Sequence, residues 1–167
     1  MPGTSGDRLT VGWREWVGLP DLGVDAIKAK IDTGARTSAL HVTVLHRFER
    51  NGHPWVRFAV HPMQHTEQPE VQAEAALVER RPVRSSSGHT EHRLVIATTL
   101  TMGAASWPIE LTLTRRDEMG FRMLIGRQAL RRHTLIDPGR SFLTRARPPG
   151  MRRKRPPPAD EQAFAGG

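Results

Sequence analysis

The sequence contains no cysteine. That single absence removes disulfides, thiolate zinc sites and thiol nucleophiles together, and it suits a reducing compartment, so cytoplasm is the expected location. Long apolar runs are missing too. No stretch approaches the roughly 18 to 20 consecutive apolar residues that span a bilayer, and residues 1–10 lack the apolar core of a signal peptide. A soluble protein without a membrane partner is expected. There is no Gly-x-x-x-x-Gly-Lys-Ser/Thr loop to cradle phosphates, no His-Glu-x-x-His helix to hold zinc, and no Gly-x-Ser-x-Gly elbow to present a serine nucleophile. No cofactor is expected. His61 and His65, and likewise His89 and His92, lie in stretches containing Pro, Ser or Gly that do not place them on one helix face. They read as solvent-exposed, and no metal site is expected.

What is present begins with charge. The formal net charge is +8, and much of it sits in the run RARPPGMRRKR at residues 145–155, which contains no acid. Prolines block regular pairing and like charges repel, so residues 145–167 read as a basic, Pro-rich disordered tail. Accessible lysine and arginine in such a tail suit contact with RNA or the ribosome, and equally a solubilising role with no particular target. Residues 1–9 read as a disordered N-terminus, and residues 10–144 as one folded domain.

Within that domain short β-type runs alternate with turn chemistry. Strands are predicted over 10–17, 26–32, 39–48, 55–60, 75–83, 92–101 and 106–113, with further short strands at 134–136 and 141–144. Leu19 to Gly23 and Asp137-Pro138-Gly139 read as turns, Asn51-Gly52 is a strong hairpin signal, and Ser85-Ser86-Ser87-Gly88 reads as a hairpin tip. One short helix is predicted over 127–132. The fold class is therefore all-β, a barrel or sandwich with a single helix. Trp13, Trp16, Trp55 and Trp107 read as core or sheet-face anchors, and Asp117, Glu118 and Asp137 as turn residues.

The alternating run Ala26 to Ile31 delivers Asp32 at a strand end, followed by Thr33, Gly34 and Ala35. A catalytic carboxylate needs such a rigid mount, and glycine lets the backbone turn tightly beside it. Taken alone the triplet is also ordinary turn chemistry. A second segment, Met123-Leu124-Ile125-Gly126-Arg127-Gln128-Ala129-Leu130, runs from an apolar strand through glycine into the helix.

In this order the two segments resemble the retropepsin-like aspartic peptidases. With KAKIDTGARTSALH, RFAVHP, VRSSSGHTEHRLVI, LTRRDEMGFRMLIGRQAL and IDPGRSFL, the chain is similar to the bacterial RimB-type group, which carries the label ATP-dependent zinc protease and is found beside a ribosomal-protein glutamate ligase. The residues above support neither zinc nor ATP. The resemblance implies a retropepsin-like acid-protease barrel with Asp32 as the catalytic carboxylate. It makes Thr33 a brace between two active-site loops across a dimer, Gly34 and Ala35 part of the catalytic loop, and Gly126 and Arg127 its structural support. The hairpin tip from Ser85 to Gly88 becomes the flap. Since the sequence holds one Asp-Thr-Gly, a homodimer would be needed to bring two carboxylates together.

Retroviral proteases carry an acid soon after this motif, whereas Arg36 stands here, so Arg127 is expected to find another partner. Arg36 beside the site and Arg84 in the flap hairpin suggest an electropositive cleft for an acidic protein or peptide substrate, such as a glutamate-modified tail. The functional expectation is a homodimeric aspartic-type endopeptidase. Its alternative is a noncatalytic module of the same fold that engages a ribosomal protein, RNA or a modifying enzyme.

Overall fold

A computed structural model describes residues 8–63, 69–84, 87–115 and 120–145. The expectations for His65, Ser85, Ser86, Asp117 and Glu118, for residues 1–7 and for the tail from residue 146 lie outside the described residues. In chain order the strands are β1 Leu9–Val11, β2 Arg14–Leu19, β3 Val24–Asp32, β4 Ser38–Arg50, β5 His53–Val60, β6 Val71–Arg84, β7 Thr90–Met102, β8 Ala105–Thr114, β9 Met123–Gly126 and β10 Thr134–Ile136. The helix α1 is Arg127–Leu130, and a short 3-10 turn occupies Pro20–Leu22. The all-β expectation is borne out.

Eight strands form one sheet in the order β2-β3-β9-β4-β5-β6-β7-β8, and extra pairings of β2 with β7 and of β4 with β8 close it on itself. Closure leaves one interior, filled by Val17, Leu19, Ile27, Leu40, Phe58, Ile96, Leu100, Leu111, Met123 and Ile125. The pattern is legible along β3, where Ile27, Ala29 and Ile31 are buried while Lys28 and Lys30 are half-exposed, the period of two that a one-sided strand requires. At the Asn51-Gly52 tip both residues have positive φ, 53° and 80°, the conformation that a two-residue hairpin demands. Trp16 and Trp107 are buried, and Trp107 donates Nε1–H to the Ala129 carbonyl at 2.9 Å, tying α1 to β8. Trp13 and Trp55 are half-buried.

Three expectations are corrected. The strand predicted over 10–17 is two strands, interrupted at Gly12 and Trp13. The backbone there runs against Arg140, so close that a Cβ on Gly12 would lie 2.2 Å from the Arg140 carbonyl oxygen. Residues 141–144 form no strand. Instead their backbone donors turn toward Glu15, a fully buried carboxylate on β2. It accepts from Gly12 N at 2.6 Å, Leu143 N at 2.9 Å, Thr144 N at 3.1 Å and Thr144 Oγ1 at 2.9 Å. Finally, the helix ends at Leu130 because Arg131 is extended, with φ −54° and ψ 137°.

Glu15 thus satisfies the donors that a strand pairing would otherwise take, and it does so with charge-assisted bonds. Glu15→Gln keeps the shape but turns an NH2 group toward N–H donors. Equilibrium urea unfolding is expected to show a loss of about 2–3 kcal/mol. A change below about 0.5 kcal/mol would mean that the carboxylate does not hold the 141–144 segment.

Candidate functional site

Asp32 ends β3 and lies opposite Gly126, which ends the parallel strand β9. Strand β9 is flanked on its other side by β4, with Ala39 opposite Leu124. The carboxylate is therefore mounted where the C-terminal ends of β3 and β9 meet the N-terminal end of β4, and the chain between β3 and β4 must turn within residues 33–37. Asp32 Oδ1 accepts from Gly34 N at 3.1 Å, and the Asp32 carbonyl from Ala35 N at 3.2 Å. Both bonds curl the loop back over its own carboxylate. Asp32 stays half-buried, while Thr33, Gly34 and Arg36 are exposed.

The start of α1 secures the loop from below. Arg127 N donates to the Ala35 carbonyl at 2.8 Å and Gln128 N to that of Arg36 at 3.2 Å, while Gly126 N donates to Ser38 Oγ at 3.0 Å. A four-residue helix cannot satisfy its first N–H groups internally, and here the loop carbonyls take them. Arg127 has the different partner that the sequence required. Its Nη1 donates to the backbone carbonyls of Thr33 at 3.2 Å and Gly34 at 3.5 Å, so a guanidinium and two carbonyl oxygens replace an ion pair.

Above Asp32 lies a groove of 860 Å³. Asp32, Gly34, Ala35, Arg36 and Thr37 line one wall, and residues Arg81, Pro82, Val83 and Arg84 of β6 line the other. The expected residues Asp32, Gly34, Ala35, Arg36 and Arg84 thus meet around one space. Thr33, Gly126 and Arg127 are not among its lining residues, and neither are Ser87 and Gly88, which are exposed at the tip between β6 and β7.

The charges of the groove extend beyond those the sequence suggested. Arg81 lies directly opposite Arg93 across the β6–β7 ladder, an arrangement that costs energy unless acids compensate it. Acids are supplied on both sides. Arg81 is held by Glu79 and by Glu110, the latter at 2.9 Å, and these hydrogen bonds, Glu79 first, raise its pKa further. Arg93, with its side chain 5% exposed, lies 3.5 Å from Glu91. Arg36 and Arg84 form no ion pair among the described residues. Sequence reading missed Arg81, Arg93, Glu110, Ser38 and Gln128. The available signal for the first two was the hairpin register, since Arg84 pairs with Thr90 and counting back sets the two arginines face to face.

No group of three His, Asp or Glu residues that could hold a metal ion occurs among the described residues. His89 and His92 are exposed as expected, but His61 is not. It is 3% exposed and its Nε2 lies 2.7 Å from Thr43 Oγ1, because the start of the 61–63 connection packs back onto β4.

The model of the family described as retropepsin-like aspartic endopeptidase RimB matches residues 10–147. Two proteins named "Probable alpha-L-glutamate ligase", from Shewanella pealeana and Shewanella halifaxensis, are each 46% identical over 138 residues, covering 83% of this chain and 30% of the relative. A protein of the same name from Parasynechococcus marenigrum is 48% identical over 131 residues, 78% of this chain and 28% of its own. The chain thus spans under a third of the curated relatives that it matches. The crystal structure of a Legionella pneumophila protein of unknown function superposes with a TM-score of 0.69 at 26% identity, covering 82% of this chain and 98% of the other.

Proposed function

Starting from a chain that belongs to the RimB-like family of retropepsin-like aspartic endopeptidases, we propose that it hydrolyses peptide bonds as a homodimer in which each subunit supplies one Asp32. The observation that carries this reading is the mounting of Asp32. A half-buried carboxylate ends a core strand, is held by its own loop, and opens onto a groove of 860 Å³. A C2 axis through the loops would set two such carboxylates face to face. Two facing carboxylates cannot both ionise cheaply, so they share one proton. The ionised one takes a proton from water as the oxygen attacks the scissile carbonyl, and the protonated one gives its proton to the carbonyl oxygen. In the collapse of the resulting gem-diol one hydroxyl gives its proton to the ionised carboxylate, the C–N bond breaks, and the leaving nitrogen takes the proton of the other carboxyl group, which restores the singly protonated dyad.

The substrate proposed is an acidic peptide, with a glutamate-modified protein tail as the leading class. Arg36 and Arg84 line the groove and form no ion pair among the described residues, and a guanidinium matches a carboxylate in a bidentate fork. The name of the curated relatives supports the same class, because a domain sharing a chain with a glutamate ligase would work close to glutamate-bearing products.

The test is specific activity toward an acidic peptide library across a dilution series, with molar mass measured by light scattering at each point. Specific activity is expected to rise with the dimer fraction, and acidic peptides to be cleaved ahead of neutral ones. Constant specific activity through the monomeric range would remove the shared site, and an inert dimer would remove the peptidase reading.

A further inference from the structure

The groove above Asp32 is not uniformly basic, and the departure is localised. Asp32 and Glu110 are the two acids among its lining residues, and Glu110 is bonded to Arg81, three positions before Arg84 on β6. A second groove of 300 Å³ begins there. The two spaces share Thr37, Arg81, Glu110 and Gln128, so the Arg81–Glu110 pair is the partition between them. Beyond it the lining changes character. Ala97, Pro108, Ile109 and Ala129 offer apolar surface, the Thr112 hydroxyl is already bonded to the Ser38 carbonyl, and Arg81, the cation of that space, already carries two carboxylates.

We infer that the site reads a junction, an acidic stretch that ends in a neutral residue, and that Glu110 is the specificity-determining residue which enforces the boundary. This rests on the acidic-peptide reading above. A substrate carboxylate beside Arg36 or Arg84 meets a guanidinium that forms no ion pair among the described residues. One carried past Arg81 meets Glu110, whose side chain is 48% exposed, and a guanidinium whose Nη2 already donates to two carboxylates. Like charges set side by side are strongly disfavoured in recognition, while a small neutral side chain fits the smaller space without leaving a charge unpaired. Glu79 provides the internal control, because it also holds Arg81 but lines neither groove.

The experiment measures kcat and KM for three peptides of equal length: uniformly acidic, acidic ending in alanine and valine, and neutral. Each is also bound, fluorescently labelled, to the Asp32→Asn protein, so that the preference is read whether or not cleavage occurs. Wild type is expected to favour the mixed peptide over the uniformly acidic one by about 10-fold, through KM and not kcat. Glu110→Gln is expected to erase that preference by improving the uniformly acidic peptide, and Glu79→Gln to retain it. The inference falls if wild type treats the two acidic peptides alike, or if Glu110→Gln keeps the preference. It also falls if Glu79→Gln abolishes the preference equally, since release of Arg81 would then be the cause. Tight binding of the mixed peptide without cleavage by wild type would uphold the junction and remove only the peptidase reading. Failure of every peptide to bind would remove both.

Discussion

Asp32→Asn is expected to lower peptide cleavage by about a thousandfold or more while leaving fold and self-association unchanged. General acid and base catalysis by a placed carboxylate is worth roughly 10²–10⁴ in rate, and in the proposed dimer one substitution removes both members of the dyad. Asparagine preserves the volume, and its side-chain oxygen still accepts from Gly34 N, the 3.1 Å bond that shapes the loop. It cannot take a proton from water. Facing asparagines also avoid the repulsion of facing carboxylates, so the dimer should be as tight as that of wild type or tighter. The check pairs initial rates with sedimentation of both proteins under the same conditions. Activity within tenfold of wild type would show that Asp32 is not the acid-base residue. A variant that is inert and monomeric would assign it a structural role instead.

Gly126→Ala is expected to cost about 3 kcal/mol or more in unfolding free energy and about a hundredfold in turnover. The cause is space, not backbone conformation, for Gly126 has φ −87° and ψ 172°, which any residue adopts. A Cβ there would sit 2.5 Å from the Thr37 carbonyl oxygen, 2.6 Å from its carbon and 2.9 Å from the Ala35 oxygen. All three are backbone atoms, so no rotamer change relieves the clash and the loop itself must move. That loop carries Asp32 at its base, and its carbonyls receive the first N–H groups of α1. Displacing it therefore breaks several bonds and misplaces the carboxylate at once. Gly52→Ala is the useful comparison: a Cβ there meets nothing within 4 Å, so only its left-handed backbone should count, at about 1 kcal/mol. Equal effects of the two substitutions in urea unfolding would refute the steric account.

Much of this architecture was legible in the one-dimensional pattern, and for identifiable reasons. Period-two alternation marks a strand with one buried face, so the strands over 26–32, 55–60, 92–101 and 106–113 could be read locally, as could the Asn51-Gly52 tip. Asp32 at a strand end and the Gly126-Arg127 segment were legible too, because their residue types are constrained by nearby backbone.

What local pattern does not carry is which distant groups meet. Residues 141–144 looked like a strand because their composition allows one, yet a buried carboxylate more than a hundred residues earlier takes their donors. His61 looked solvent-exposed because it stands beside Pro62 in a stretch that does not read as a helix, yet it packs against Thr43. Arg127 was known to need a partner, but only the approach of α1 to the loop decided that backbone carbonyls would serve. The boundary formed by Arg81 and Glu110 joins two strands 29 residues apart. Sequence by itself thus determined the all-β class, because it follows from short-range periodicity and turn chemistry, and the family resemblance of its motifs singled out Asp32 as the candidate carboxylate. Tertiary structure alone decided the supports of the loop and the charge map of the groove, because long-range pairing register sets which side chains share a space.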